Sequence, residues 1–248
     1  MIILKNKLEL ELMRAAGTIA AQALLVGGEA VKPGVSTAHI DCAIHKFIHS
    51  QNAIPSFLGY NGFPASACIS VNDVVIHGIP GSRIIQPGDI VSIDVGAIYK
   101  GYHGDNAATF GAGEISGAAQ RLLDATRESL YKGISAAVAG NRVGDIGHAV
   151  QSYTESFGYG VVRSYVGHGV GKKLHESPEV PNYGSPGRGP RLAAGMTIAI
   201  EPMINEVGHE VATQPDGWTV LTKSGSLSAH FEHTIAVTDN GPVILTQP

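Results

Sequence analysis

Cysteine is nearly absent. The chain of 248 residues has 2, Cys42 and Cys68, with no CxxC pair. That excludes a disulfide framework and a thiolate zinc site, and makes a reducing compartment the expected setting. No apolar run reaches 18 residues, and MIILKNKLELEL turns to alternating charge after its first 4 residues. Neither a membrane span nor a secretory signal is expected from that pattern, so the chain reads as soluble and cytoplasmic. Lys/Arg-rich runs are missing too, and the net charge is −4, which argues against nucleic acid as the primary ligand. Also absent are a G-x-S-x-G elbow, a P-loop and a G-x-G-x-x-G turn.

What is present is an ordinary globular composition, 44% hydrophobic and 15% charged, with 32 Gly and 13 Pro at recurring turns. A chain this long buries roughly 70–75% of its unfolded surface. Helices are expected over about 7–30 and 37–51, then strands over 66–77 and 84–110, with turns at Pro80-Gly81, Pro87-Gly88 and Lys100-Gly101. The order then restarts. Helices are expected over about 117–138 and 144–157, and strands over 160–167, 196–204, 218–223 and 230–237. Residues 176–195, with Pro178, Pro181, Pro186 and Pro190, read as a rigid loop. Helix–helix–strands occurring twice predicts an α+β fold with pseudo-two-fold symmetry. Residues 1–248 read as one domain, with half-repeats of about 1–112 and 113–248.

The chemistry sits on the repeat. Gly88 precedes Asp94 in GDIVSID as Gly195 precedes Glu201 in GMTIAIE, and each copy continues to an acid two residues past a histidine, His103-Gly-Asp105 and His230-Phe-Glu232. His77 in Ile-His-Gly-Ile is matched with His168 in Gly-His-Gly-Val. Alternation places Ile90, Ser92 and Asp94 on one strand face and Val91, Ile93 and Val95 on the other. A hairpin turning near Tyr99-Lys100 brings Asp94 and Asp105 roughly opposite each other. Like charges so placed are destabilising unless neutralised, and two divalent cations would neutralise four carboxylates. Carboxylates with imidazoles suit Mn, Fe, Co or Zn, and such a pair of ions activates water for hydrolysis. A lone strand aspartate is ordinarily a surface residue; four acids at duplicated offsets reverse those odds. His45 and His49 stand i,i+4 without HExxH, and they, like His103, His209 and His233, read as ordinary structural histidines.

The stretches VNDVVIHGIP, GDIVSIDVGAIYKGYHGDNAATF, GHGVGKKLHESPEVPNY, GMTIAIEPMI and DGWTVLTKSGSLSAHFEHTIAVT resemble those of bacterial type I methionine aminopeptidases, nearly end to end. The resemblance implies the duplicated pita-bread fold, with antiparallel sheets enclosing a metal cleft and helices outside. It implies two divalent ions, with Asp94 on one, His168 and Glu201 on the other, and Asp105 and Glu232 bridging. A metal-bridging hydroxide would attack the first peptide bond. His77 would contact the scissile amide, His175 would stabilise the oxyanion, and Glu201 would move the proton to the leaving amine. Tyr60, Phe63, Cys68, Leu174 and Trp218 would line the methionine slot. The implied substrates are N-terminal Met-X peptides of nascent chains with a small second residue, met by a monomer in transient contact with the ribosome. Many bacterial members carry histidine at Asn61 and an aromatic at Leu174; these departures touch substrate preference and inhibitor fit, not the metal set. The chain is expected to begin at the catalytic domain. An X-Pro aminopeptidase and a non-catalytic binding protein are the alternatives, the second disfavoured by retention of all five ligands.

Overall fold

Asn6 and Glu9 start the first helix by accepting from each other's backbone N–H at 3.1 and 2.9 Å, a capping box that satisfies two otherwise orphaned donors. In the computed structural model, which describes residues 1–248, this helix is α1 (Lys7–Ala30), followed by α2 (Thr37–Ser50), capped by Ser36. Five strands complete the first half: β1 (Ile54–Pro55), β2 (Ala67–Val71), β3 (Val74–Ile76), β4 (Ile90–Tyr99) and β5 (Tyr102–Gly111). The second half repeats the plan with α3 (Gly117–Ala136) and α4 (Val143–Glu155). Its strands are β6 (Gly160–Val161), β7 (Gly167–Gly169), β8 (Glu176–Val180), β9 (Thr197–Ile200), β10 (Met203–Asn205), β11 (Val211–Thr213), β12 (Val220–Thr222), β13 (Ser228–His230), β14 (Glu232–Thr238) and β15 (Gly241–Ile244).

The nine-stranded sheet runs β1-β4-β5-β14-β9-β7-β8, with β2 added on β4 and β15 on β14. Its two halves meet where β5 and β14 pair antiparallel at the centre. Two smaller sheets, β13-β10-β6 and β11-β12-β3, flank it. All neighbouring strands are antiparallel, and the duplicated α+β pita-bread fold is as expected.

Strand faces divide as the alternation predicts. Val91, Ile93 and Val95 join Ile19, Leu24, Ile40, Ile44 and Ile48 in the core beneath α1 and α2. Ile198, Ile200, Ile235 and Val237 join Leu122, Leu130 and Ile146 beneath α3 and α4. Helix α1 lies hard on β5: a Cβ added at Gly104 would come 2.5 Å from Gly17 Cα, and one added at Gly17 would come 2.4 Å from Leu245 O, so glycine at 104 lets α1 meet β5 and glycine at 17 lets it meet the C-terminal segment. By length and composition α1 passes for a membrane-crossing helix, a test that a core helix also passes, because small and apolar residues spread over its 24 positions. Half of its most apolar 18-residue window is buried inside the molecule.

Several boundaries differ from expectation. The segment 176–195 is not all loop: Glu176–Val180 forms β8, the sheet edge, where the missing ladder bond of Pro178 is tolerated. The strand expected over 66–77 breaks at Asn72, which takes φ 58° and turns the chain into β3. The strand expected over 196–204 ends at Ile200, since Pro202 has no N–H to continue it. Glu201 is therefore left at a strand end. By strand order, β7 with His168 stands where β2 with Cys68 stands in the other half. His77 follows β3 in a separate sheet, so the matching of His77 with His168 does not hold.

Candidate metal centre

One register row builds the floor of the site. Cys68 on β2 pairs with Asp94 on β4, Asp94 with Ala107 on β5, and Ala107 with Glu232 on β14. Asp105 pairs with Gly96 and so stands two residues from Ala107 on the same face, diagonal to Asp94 rather than directly opposite it. Ala107 between the acids leaves them open space. The Thr234 hydroxyl donates to Asp105 O at 2.8 Å and accepts from Asp105 N at 3.2 Å, stitching the two half-sheets together at this point.

His168 arrives from β7. Its two glycines are explained by neighbouring strands: a Cβ at Gly167 would lie 2.3 Å from Ala199 O, and one at Gly169 would lie 2.4 Å from Ser177 O. Close strand approach, rather than approach to a ligand, requires them. The ring's Nδ1–H donates to Gly169 O at 2.9 Å, which leaves the Nε2 lone pair facing the acids. Nε2 is 3.7 Å from Asp105 Oδ2 and 3.6 Å from Glu201 Oε1. Ligand atoms of Asp105, His168 and Glu232 lie within 4.8 Å of one another. Asn182 Nδ2 donates to Glu201 O at 3.0 Å, fixing the backbone at the strand end.

The electrostatics are those of a site short of positive charge. Burial first, then neighbouring acids, hold the carboxyls of Asp94, Asp105 and Glu232 well above the ordinary carboxylate range, and burial raises Glu201 to about 8. Burial lowers His168 to about 3. Asp94 Oδ1, Asp105 Oδ1 and Glu232 Oε1 are buried with no hydrogen-bond partner. Orphaned buried carboxylate oxygens are costly, and hard divalent cations are their natural partners. An O-rich donor set with one imidazole fits such ions.

The remaining expected residues share this cavity of about 360 Å³. His77, His175, Tyr60, Phe63, Cys68, Leu174 and Trp218 all line it together with Asp94, Asp105, His168, Glu201 and Glu232. Phe63, Cys68 and Leu174 are buried with Phe57 and Ala65, and Tyr60 and Trp218 pack on them, making an apolar slot beside the acids. Trp218 stands edge-on to Phe63 at 5.1 Å, held by a turn in which Asp216 accepts from Trp218 N and Thr219 N. The loop carrying Tyr60 is tight, with Gly59, Asn61 and Gly62 all at positive φ, and Asn is among the few side chains that tolerate this. Tyr60 OH meets His175 Nδ1 at 2.7 Å, and the His175 ring lies 4.1 Å from that of His168. His77 takes φ 58° at the end of β3 and is lowered to about 4, by burial first and then by His230 and His175. Burial pushes the Cys68 thiol up, so it is a neutral wall of the slot rather than a nucleophile. His45 stays outside, with Nδ1 2.8 Å from Ser66 Oγ, and His103 meets Ser56 Oγ at 2.9 Å.

Three contributors were not expected at the site. Phe57 lines the slot, Asn182 holds Glu201, and His230 brings Nε2 to 3.5 Å from Glu201 Oε2. Only His230 was marked in the sequence, as the residue two before an acid.

A duplicated pita-bread fold around a buried carboxylate–imidazole cluster defines a metal-dependent hydrolase of the peptidase kind. The chain belongs to metallopeptidase family M24, whose model matches residues 11–239. Within that family it is 58% identical to a methionine aminopeptidase of Clostridium acetobutylicum over 247 residues, with 99% of each chain covered. It is 53% identical to methionine aminopeptidase 1 of Bacillus subtilis, with both chains fully covered. Among solved structures, the methionine aminopeptidase of Rickettsia prowazekii superposes with TM-score 0.98 at 44% identity, covering 100% of each chain. The Xaa-Pro dipeptidase of Bacillus anthracis shares the fold at TM-score 0.80 and 24% identity, over 99% of this chain and 62% of that one.

Proposed function

We propose that this chain removes the N-terminal methionine from nascent proteins and peptides whose second residue is small. The observation that carries the reading is the junction of a buried acid–imidazole cluster with a closed apolar slot in one cavity. Asp94, Asp105, His168, Glu201 and Glu232 would hold two divalent ions, drawn from Co, Mn, Fe or Zn. When bound, the ions supply water activation and carbonyl polarisation. The slot of Phe63, Cys68, Leu174, Tyr60 and Trp218 takes an unbranched thioether and fixes which bond lies over the acids. Glu201 takes a proton at its carboxylate and passes it to the departing amine. A neutral His175 accepting the Tyr60 hydroxyl at Nδ1 carries its own proton on Nε2, available to the developing oxyanion. His77, also neutral, binds the scissile amide region.

On the same reading the protein is a single catalytic domain that works as a monomer in the cytoplasm, in transient contact with the ribosome. It has no nucleic acid as primary ligand and no membrane association. Metal-loaded protein is expected to release methionine from Met-Ala-Ser, to act far more slowly on Met-Leu-Ser and Ala-Pro-Ser, and to stop on chelation. Glu201→Gln should lower kcat at least about 100-fold. Comparable turnover of Ala-Pro-Ser would favour an X-Pro enzyme instead, and no turnover with any of the four metals would end the reading.

A further inference from the structure

His230 ends β13 two residues before Glu232, as His103 stands two residues before Asp105. The paired histidines finish in different surroundings. His103 has Ser56 as a partner, whereas His230 is 1% exposed and its Nε2 has none. An unsatisfied buried ring nitrogen costs about 1–3 kcal/mol, and a leucine in the same space would avoid that cost. The atom nearest in charge is Glu201 Oε2 at 3.5 Å, a separation that a small rotation of either side chain turns into a bond. The backbone of His230 is held in place from behind. Thr109 Oγ1 accepts from His230 N and donates to His230 O, both at 2.9 Å, and Ser92 Oγ meets Thr109 Oγ1 at 2.8 Å.

Glu201 thus has one oxygen toward each histidine: Oε1 at 3.6 Å from His168 Nε2, and Oε2 at 3.5 Å from His230 Nε2. We propose that His230 is a positioning residue for Glu201, its Nε2–H donating to Oε2 so that Oε1 is presented to His168 and the metal cluster. Buried at 1% exposure with its Nε2 facing Glu201, the ring has this carboxylate as its available hydrogen-bond partner. Hydrogen bonds to metal-ligating carboxylates orient them, and their loss costs about 10–100-fold in metal affinity. The predicted effect on rate rests on the aminopeptidase reading. The effect on ion affinity rests on the metal cluster alone.

The test compares H230L, which fills the space without a donor, with H230Q, whose amide can donate to Glu201. Stripped proteins are titrated calorimetrically with Mn(II). The visible absorption of Co(II)-loaded protein and the cleavage of Met-Ala-Ser are followed in parallel. H230L should bind Mn(II) about 10–100-fold more weakly and show a displaced Co(II) spectrum. Its kcat should fall at least about 10-fold while KM stays within about threefold. H230Q should recover affinity, spectrum and kcat to within about threefold of wild type. If H230L fails to fold by circular dichroism, H230N, whose shorter amide falls away from Glu201, carries the same expectation. Wild-type Mn(II) affinity in H230L, or an H230Q protein no better than H230L, would overturn the proposal. So would a Co(II) spectrum that H230Q cannot restore, which would make His230 a ligand itself. A wild-type protein that binds Mn(II) but leaves Met-Ala-Ser intact would refute the aminopeptidase reading, with the affinity comparison still deciding His230.

Discussion

Removing the ions from this protein should invert its pH–stability profile above about pH 7.5. Glu201 is raised from 4.5 to about 8, and Asp94, Asp105 and Glu232 are raised too, so the metal-free native state keeps protons that the unfolded chain has lost. A raised carboxyl contributes stability that is full below its unfolded pKa and is lost as pH climbs through the folded one. The buried histidines act oppositely. His77, His103 and His233 are lowered to about 4, and His168 and His230 to about 3, so their contribution grows with pH. It still grows at roughly 6.5, the unfolded value, and is complete about a pH unit above it. Between about pH 7.5 and 8.5 only the acids remain. Glu201 alone then removes about 1 kcal/mol over the window. In a chain of 248 residues this lowers Tm by about 2–4 °C. Calorimetric scans of chelator-stripped protein at pH 7.5 and 8.5 measure it directly. Scans with Mn(II) present should lose the drop, because bound ligands are already deprotonated. A metal-free Tm that is flat or rising across this window would refute the reasoning.

Three substitutions probe separate parts of the site. Gly167→Ala forces a Cβ to 2.3 Å from Ala199 O, so β7 and β9 must part. It should lower Tm by roughly 5 °C and weaken Mn(II) binding at least about 10-fold, as read by melting and calorimetry. Trp218→Ala opens the slot and should raise KM for Met-Ala-Ser roughly 10-fold with kcat nearly kept, since it removes binding common to ground and transition states. His175→Ala should lower kcat about 10²–10³-fold with KM little changed. Tyr60→Phe, which loses only the 2.7 Å contact to His175, should lose roughly 10-fold by the same assay.

How much of this was legible follows from what each residue depends on. Strand alternation separated Asp94 from Val91, Ile93 and Val95, and the core contains those three. Duplicated offsets singled out the acids, because strand period carries spacing directly into position. Resemblance supplied the slot residues, whose lining of one cavity depends on loops far apart in sequence. The failures are tertiary. β8 pairs despite Pro178 because it lies at an edge, and His77 parts from His168 because Asn72 turns β3 out of the main sheet. Asn182 and Phe57 gave no signal, since one holds a backbone carbonyl and the other merely fills the slot wall. The glycines around His168 answer to neighbouring strands, which no local pattern reveals.

The central claim is that the cluster of Asp94, Asp105, His168, Glu201 and Glu232 holds the ions that remove methionine. Stripped protein titrated anaerobically with Mn(II), with ion binding and methionine release from Met-Ala-Ser read together, tests it most directly. Wild type should saturate at two ions per chain, with release rising as they bind, and Asp105→Asn should lose both binding and release. Methionine release that survives stripping, or that Asp105→Asn leaves unchanged, would contradict the account.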